Sequence, residues 1–338
     1  MRSIYQAYRE AYGGLPLEVW ILSFALFINR CGSMVLAFLT LYLTSKLGFT
    51  ITQAGTIFSV FGLGSVVGAY IGGKLIAPFG AVRLQIAGLV LAGPLFFCVP
   101  LFTAWWGVAF IVFILAICSE SVRPANNVAV SEFTTPKIRT RAYGLQRMAV
   151  NLGMSFGPVV GGFLAEIDFV WLFVVDGIST AFGGLFLFYF FGFSRYAKGT
   201  ATTARQRHSE QNQSKESVWS DPHFFYFLGL LLLTAFVFFQ VHATYPKYLE
   251  EHYLLSKPQI GMIYGINTVI IVVIEMILVS YVTRFSLLRT IGWGCFLACF
   301  GFAILPASVA TWFVILSMVI ITFGEMLIFP LALSLIHI

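Results

Sequence analysis

Residues 170–193 read VWLFVVDGISTAFGGLFLFYFFGF, with Asp176 as the single charged residue. A bilayer's hydrocarbon core is about 30 Å thick and roughly 20 helical residues cross it, so this run is long enough to span. Nine runs of the same kind accompany it: Leu17–Leu43, Ile51–Leu75, Val82–Phe102, Trp105–Val128, Tyr143–Ala165, Phe224–Tyr245, Ile260–Val282, Leu287–Ala307 and Trp312–Ile336. In hydrocarbon every backbone N–H and C=O must be satisfied within its own segment, and a barrel would show short alternating strands instead. The runs therefore predict ten helices, numbered here as spans one to ten, and an all-α integral membrane protein. Composition agrees: the 338 residues are 59% apolar and 10% charged, against about 25% charged in a soluble domain.

The first span is too long for a removable signal and lacks a small-residue cleavage site. Cys31, Cys98, Cys118, Cys295 and Cys299 all fall inside spans without metal or disulfide spacing, and read as small apolar packing residues.

Lysine and arginine are retained on the cytoplasmic side of short loops. One side of the predicted topology carries Arg2, Arg9, Lys74, Arg83, Lys137, Arg139, Arg141, Arg147, Arg195, Lys198, Arg205, Arg207, Lys215, Arg284 and Arg289, the other only Lys46, Lys247 and Lys257. The N-terminus is therefore expected in the cytoplasm and the protein in the cell (inner) membrane. This bias accounts for the net charge of +6; anionic lipid, not nucleic acid, is the partner it implies. Residues 194–222 are rich in Ser, Thr, Gln and Arg and read as a cytoplasmic linker. It divides the chain into a six-helix bundle, 1–193, and a C-terminal bundle, 223–338, of about four helices. The halves share a weak polar pattern. Ser119-Glu120 before Pro124 matches Gly324-Glu325 before Pro330, and Asn29-Arg30 before Leu41-Tyr42-Leu43 matches Gln240-Val241-His242 before Lys247-Tyr248-Leu249.

Three stretches resemble the Major Facilitator Superfamily. Between spans two and three, Gly73-Lys74-Leu75-Ile76-Ala77-Pro78-Phe79-Gly80-Ala81-Val82-Arg83 stands where the family has a Gly-x-Leu-Ala-Asp-Arg-x-Gly-Arg-type motif, with Ala77 at the aspartate position. In span four, Arg123 occupies the motif arginine, followed by Pro124-Ala125-Asn126-Asn127. In span five, Gly153-Met154-Ser155-Phe156-Gly157-Pro158-Val159-Val160-Gly161-Gly162 has the form Gly-x-x-x-Gly-Pro-x-x-Gly-Gly that the family associates with proton-driven exporters. The resemblance implies a secondary transporter, usually of twelve helices. Ten are seen here and Ser334–Ile338 lie at the edge of an apolar run, which reads as a C-terminal truncation.

A charge at the bilayer centre costs about 2.5–3.5 kcal/mol on insertion scales, so ionisable residues inside spans are functional candidates. Arg30, Glu120, Arg123, Glu275 and Glu325 are the proton-coupling candidates, with Asp176 read as a structural hydrogen-bond acceptor. Glu120 and Arg123 stand three apart and share a helix face, where they pair with each other or with Arg30. The bland alternative is a permanent salt bridge. Glu325 resembles the span-ten glutamate of proton-coupled oligopeptide transporters, and Arg30 alone matches the helix-one motif of that group. Spans one, four and seven face the central cavity in this superfamily, so Asn29, Asn126, Asn127, Gln240 and His242 are candidate substrate contacts; interhelical polar glue is the rival reading. Gly73, Gly80, Arg83, Gly153, Gly157, Pro158, Gly161 and Gly162 form the conformational motifs. Gly64, Gly68 and Gly72 repeat every four residues, as small residues do where helix backbones approach closely.

No nucleotide-binding loop, nucleophile elbow or His/Cys/Asp cluster appears in the sequence, so no enzyme, cofactor or metal is called for. The expected function is proton-coupled antiport exporting amphipathic small molecules, by a monomer whose partners are substrate, protons and lipid. Proton-coupled uptake of peptides or other small solutes is the second reading, and a non-transporting receptor or inactive fragment the third.

Overall fold

The structure, a computed structural model, describes residues 13–192, 222–282 and 285–336. All ten expected spans are helical: among the described residues nine helices are long and apolar enough to cross a membrane, and a bent pair makes a tenth. The expected linker lies, but for Pro222, outside the described residues.

Span one is not one helix. It runs Leu17–Cys31, breaks at Gly32–Met34, resumes as Val35–Leu41 and ends in a π turn, Tyr42–Lys46. A break inside hydrocarbon frees backbone amides that must find another acceptor. Here the Asp176 carboxylate of span six supplies it, accepting from the Met34 and Val35 amides at 3.0 Å each. Gly32 permits the approach, because a Cβ there would overlap the Ser179 side chain and lie 3.3 Å from the Asp176 Cα.

Span two, Ile51–Phe79, starts on a capping box between Thr50 and Gln53 and ends at Gly80, whose φ of 85° suits glycine. Its glycine face packs on span four, Trp105–Glu132. Cβ atoms at Gly64, Gly68 and Gly72 would lie 2.8 Å from Ala116 Cβ, 2.5 Å from Ile117 O and 2.7 Å from Ser121 O. Only glycine lets the backbones come this close, and overpacking of that kind typically costs about 1–3 kcal/mol. Spans three, five and six follow as Ala81–Cys98, Pro136–Ile167 and Val170–Leu187.

Span seven corrects the expected single helix ending at Tyr245. It comprises Pro222–Phe238, Gln240–Ala243 and Tyr245–His252, with a 45° bend at Thr244. Pro246 explains the bend, since it lacks an amide for the ladder and its ring crowds the preceding turn. The helix carries on past the bend to His252, and Lys247 sits in it, 2.9 Å from Glu250 and 3.3 Å from Glu251. Spans eight to ten are Lys257–Val282, Leu287–Ala303 and Thr311–Ile336.

By contact the described residues form two compact units. The first gathers those up to Val35, Leu43–Gly153 and Asp168 to 192; the second gathers Leu36–Tyr42, Met154–Ile167 and those from 222 onward. The chain thus passes to the second unit within span one just after its break, returning after Tyr42, and again within span five after Gly153, returning after Ile167. In the first unit the two ends are tied separately: Lys46 pairs with Asp168 and Trp105 Nε1 donates to Gln53 O at one end. At the other, Phe133 stacks on Phe191 and Arg141 donates to Gly13 O. Many large apolar side chains point outward, among them Leu63, Val66, Phe110, Leu185, Leu232 and Trp293, as a bilayer solvent requires.

Candidate functional site

In the first unit Glu120 and Arg123 form an ion pair at 3.0 Å, on one helix face as their spacing implies. The Arg123 side chain is 64% exposed and Glu120 18%. Asn127, one turn on, is also exposed. Arg30 of span one lies in the field of these charges, repelled by Arg123 and attracted by Glu120 and Asp176. Its Nε is buried without a hydrogen-bond partner. Gly153, the first residue of the span-five motif, sets Arg30 in place: a Cβ there would lie 2.6 Å from Arg30 Cβ and 2.7 Å from Phe27 O.

The remaining polar candidates of this unit divide. Asn126 is buried in a chain of side-chain amides that crosses four helices. Gln85 Nε2 donates to Asn126 Oδ1 at 3.2 Å, Asn126 Nδ2 to Gln146 Oε1 at 3.0 Å, and Gln146 Nε2 to Ser23 Oγ at 3.0 Å. With those bonds made, Asn126 serves as interhelical glue. Asn29 Nδ2 donates to Thr180 Oγ1 of span six at 3.0 Å. Asn127 keeps its side chain exposed while its carbonyl accepts from Tyr143 Oη at 2.9 Å.

In the second unit the central feature is Asn267 of span eight. Its Nδ2 donates to Glu325 Oε2 at 3.1 Å and to Thr322 Oγ1 at 2.9 Å, both on span ten. Glu275, two turns further along span eight, is buried. His242 stacks on Tyr264, with ring centroids 6.0 Å apart and planes 11° from parallel, and its Nδ1 is buried without a hydrogen-bond partner. Gln240 turns to its own helix, accepting from Thr244 Oγ1 at 2.8 Å.

The rest of the span-five motif belongs to this unit. Gly157, Pro158, Gly161 and Gly162 are buried. A Cβ at Gly162 would lie 2.6 Å from Lys257 O and 2.9 Å from Pro258 Cα, and a Cβ at Gly261 would overlap Pro158 O. Gly265 meets Val159 Cγ2 in the same way. The motif is therefore a backbone-to-backbone contact with the start of span eight. Of the loop motif, Gly80 makes the positive-φ turn, Arg83 is exposed, and a Cβ at Gly73 would meet open space.

Sequence reasoning passed over Asn267, Tyr264 and the Gly261/Gly265 pair. The four-residue glycine spacing read in spans two and five was present in span eight as well, and Asn267 is a lone amide in an apolar run. Among the described residues no three His, Cys, Asp or Glu side chains gather where they could hold a metal ion.

Comparison with known proteins places this geometry. The family model described as Major Facilitator Superfamily matches residues 22–337. An uncharacterized MFS-type transporter, YqjV of Bacillus subtilis, is 23% identical over 319 residues, covering 94% of this chain and 77% of its own length. A Na(+), Li(+), K(+)/H(+) antiporter of Planococcus maritimus is 23% identical, covering 89% and 77%. Among solved structures, a peptide transporter POT in complex with sulfate superposes with a TM-score of 0.76 at 16% identity, over 96% of this chain and 82% of that one. Such a likeness establishes the fold. Together with the helical architecture, the family match shows that this chain is a multi-pass transporter of small molecules, not an enzyme, and that it belongs to the Major Facilitator Superfamily.

Proposed function

We propose that the protein is a proton-coupled antiporter that exports small amphipathic compounds across the cell (inner) membrane, acting as a single chain with its N-terminus inside. The observation that carries this reading is the Glu120–Arg123 pair. Arg123 is 64% exposed in the middle of an apolar span, and a guanidinium there is stable only where water reaches it. The pair therefore lines an aqueous path, and Asn127 shares its open face. A proton taken up by Glu120 cancels its attraction for Arg123 and leaves Arg123 and Arg30 as two like charges. That changes the relative stability of two conformations, which is what coupling requires. The likeness to an exporter motif in span five and the antiporter relative support antiport as the direction of exchange. Residues 1–193 and 223–338 are read as the two helical bundles of such a transporter.

Uptake of a peptide or other small solute with protons is the second reading, favoured by Glu325 and its Asn267 donor on spans ten and eight. Everted membrane vesicles with a pH-sensitive dye distinguish the two. Addition of amphipathic cations should dissipate an imposed proton gradient in wild-type vesicles and not in Glu120→Gln vesicles. If di- or tripeptides added outside instead carry protons with them into the lumen and Glu325→Gln abolishes that response, the uptake reading replaces the first. If neither class moves protons at any imposed gradient, proton coupling fails altogether.

A further inference from the structure

We infer that the first unit carries a binding site for one anionic phospholipid, in a cavity of about 550 Å³ between the start of span three and the end of span six. Gly80, Arg83, Ala87, Phe133, Phe188 and Phe191 are among its walls. The volume falls within the range of small-ligand sites, roughly 300–1,000 Å³. It lies at the end of the unit where Phe133 stacks on Phe191, the same end that holds Arg139 and Arg141 at the start of span five.

Three observations select a lipid over other occupants. The cavity opens on an outward face where Ala87, Leu185 and Phe188 are exposed, so its solvent is bilayer and its walls suit an acyl chain. Its lining is apolar except at one end, where the exposed Arg83 stands in the first turn of span three. A guanidinium there matches a phosphate in position and charge, and its planar fork holds phosphate oxygens in pairs. The amides of that first turn add a weaker attraction of the same sign, since Gly80 gives the helix no side-chain cap. An acidic headgroup at Arg83 with one chain among Phe133, Phe188 and Phe191 satisfies both ends of the cavity; a soluble anion satisfies only one. This site does not depend on the transport reading above.

The test uses the full chain purified in mild detergent. Tightly held lipid is counted by mass spectrometry, and thermal unfolding is followed while phosphatidylglycerol, phosphatidylcholine of the same acyl chains, or inorganic phosphate is added. We expect phosphatidylglycerol to be retained and to raise the melting temperature, with no shift from the other two. Arg83→Gln should weaken retention about fivefold, the factor given by about 1 kcal/mol per basic residue near anionic lipid. Ala87→Trp, which fills the cavity and leaves the charge, should also weaken retention of phosphatidylglycerol. Lys74→Gln, at a basic residue already held over the Tyr70 ring at 4.5 Å, should leave retention unchanged. Equal loss in Lys74→Gln and Arg83→Gln would reduce the effect to diffuse electrostatics and overturn the site. So would equal stabilisation by inorganic phosphate, or undiminished retention in a folded Ala87→Trp variant.

Discussion

The two units hold their carboxylates in different ways. In the first, Glu120 and Asp176 share their surroundings with two guanidiniums, and both are engaged. Glu120 pairs with Arg123 at 3.0 Å, and Asp176 caps a broken helix. In the second, Glu325 accepts from the neutral amide of Asn267 at 3.1 Å. An ion pair loses its main attraction when the carboxylate takes a proton. A bond from an amide changes less, because a protonated carboxyl still offers a carbonyl oxygen. The first arrangement is therefore the more responsive to protonation and the second the better suited to holding a polar ligand in either state.

The sharpest way to break this contrast is at Asp176. Asp176→Leu removes the acceptor of two buried amides, and each orphaned donor costs about 1–3 kcal/mol. We expect a large fall in the melting temperature of the detergent-solubilised protein, with Asp176→Asn retaining much of the stability through its carbonyl oxygen. If Asp176→Leu melts like wild type, the carboxylate does not hold the break. Next in size is Glu120→Gln, which should reduce proton-linked flux about 5–150-fold, the usual span of a coupling free energy. The residual flux should also stop responding to an imposed proton gradient, whereas wild-type flux should respond; a retained response in the variant would move coupling to the second unit.

Smaller effects sharpen the comparison. Asn267→Ala should destabilise the second unit by about 1 kcal/mol, the scale of interhelical hydrogen bonds in membranes, and alter apparent substrate affinity more than proton coupling. An unchanged affinity would remove Glu325 and Asn267 from the ligand's path. Smallest of all, Gly73→Ala should shift stability by less than about 0.5 kcal/mol, because its Cβ meets open space. Gly68→Ala, facing Ile117 O at 2.5 Å, should cost at least about 1 kcal/mol. Equal behaviour of the two would mean that the glycine face is not a packing face.

The spans were legible because hydrocarbon imposes one rule on every residue that enters it, and a run such as 170–193 has no other reading. The close approach along span two was legible for a related reason, since its glycines repeat every four residues; that the partner is span four was not. The break in span one was not, since Gly32-Ser33 is tolerated in a membrane helix and the residue that stabilises the break comes 142 positions later. Asn126 shows the same limit. Nothing in its neighbourhood in the sequence tells a cavity-facing amide from one matched to Gln85 and Gln146 on other helices. The bend in span seven could have been read from Pro246, had the helix been followed past Tyr245.

The proline of span five has a mechanical consequence. In an unbroken helix the amide of residue 158 would bond the carbonyl of residue 154; Pro158 has none to give. Met154, whose carbonyl is thereby released, is the first residue of span five counted with the second unit. In span one the chain changes unit between Val35 and Leu36, directly after the gap at Gly32–Met34. Of the points where the chain changes unit, these two thus fall where the helical ladder already lacks a rung. A helix that flexes at such a point gives up no rung of its own ladder: the span-five joint is free of one at Pro158, and the span-one joint turns on the two bonds to Asp176 that replace its missing rungs.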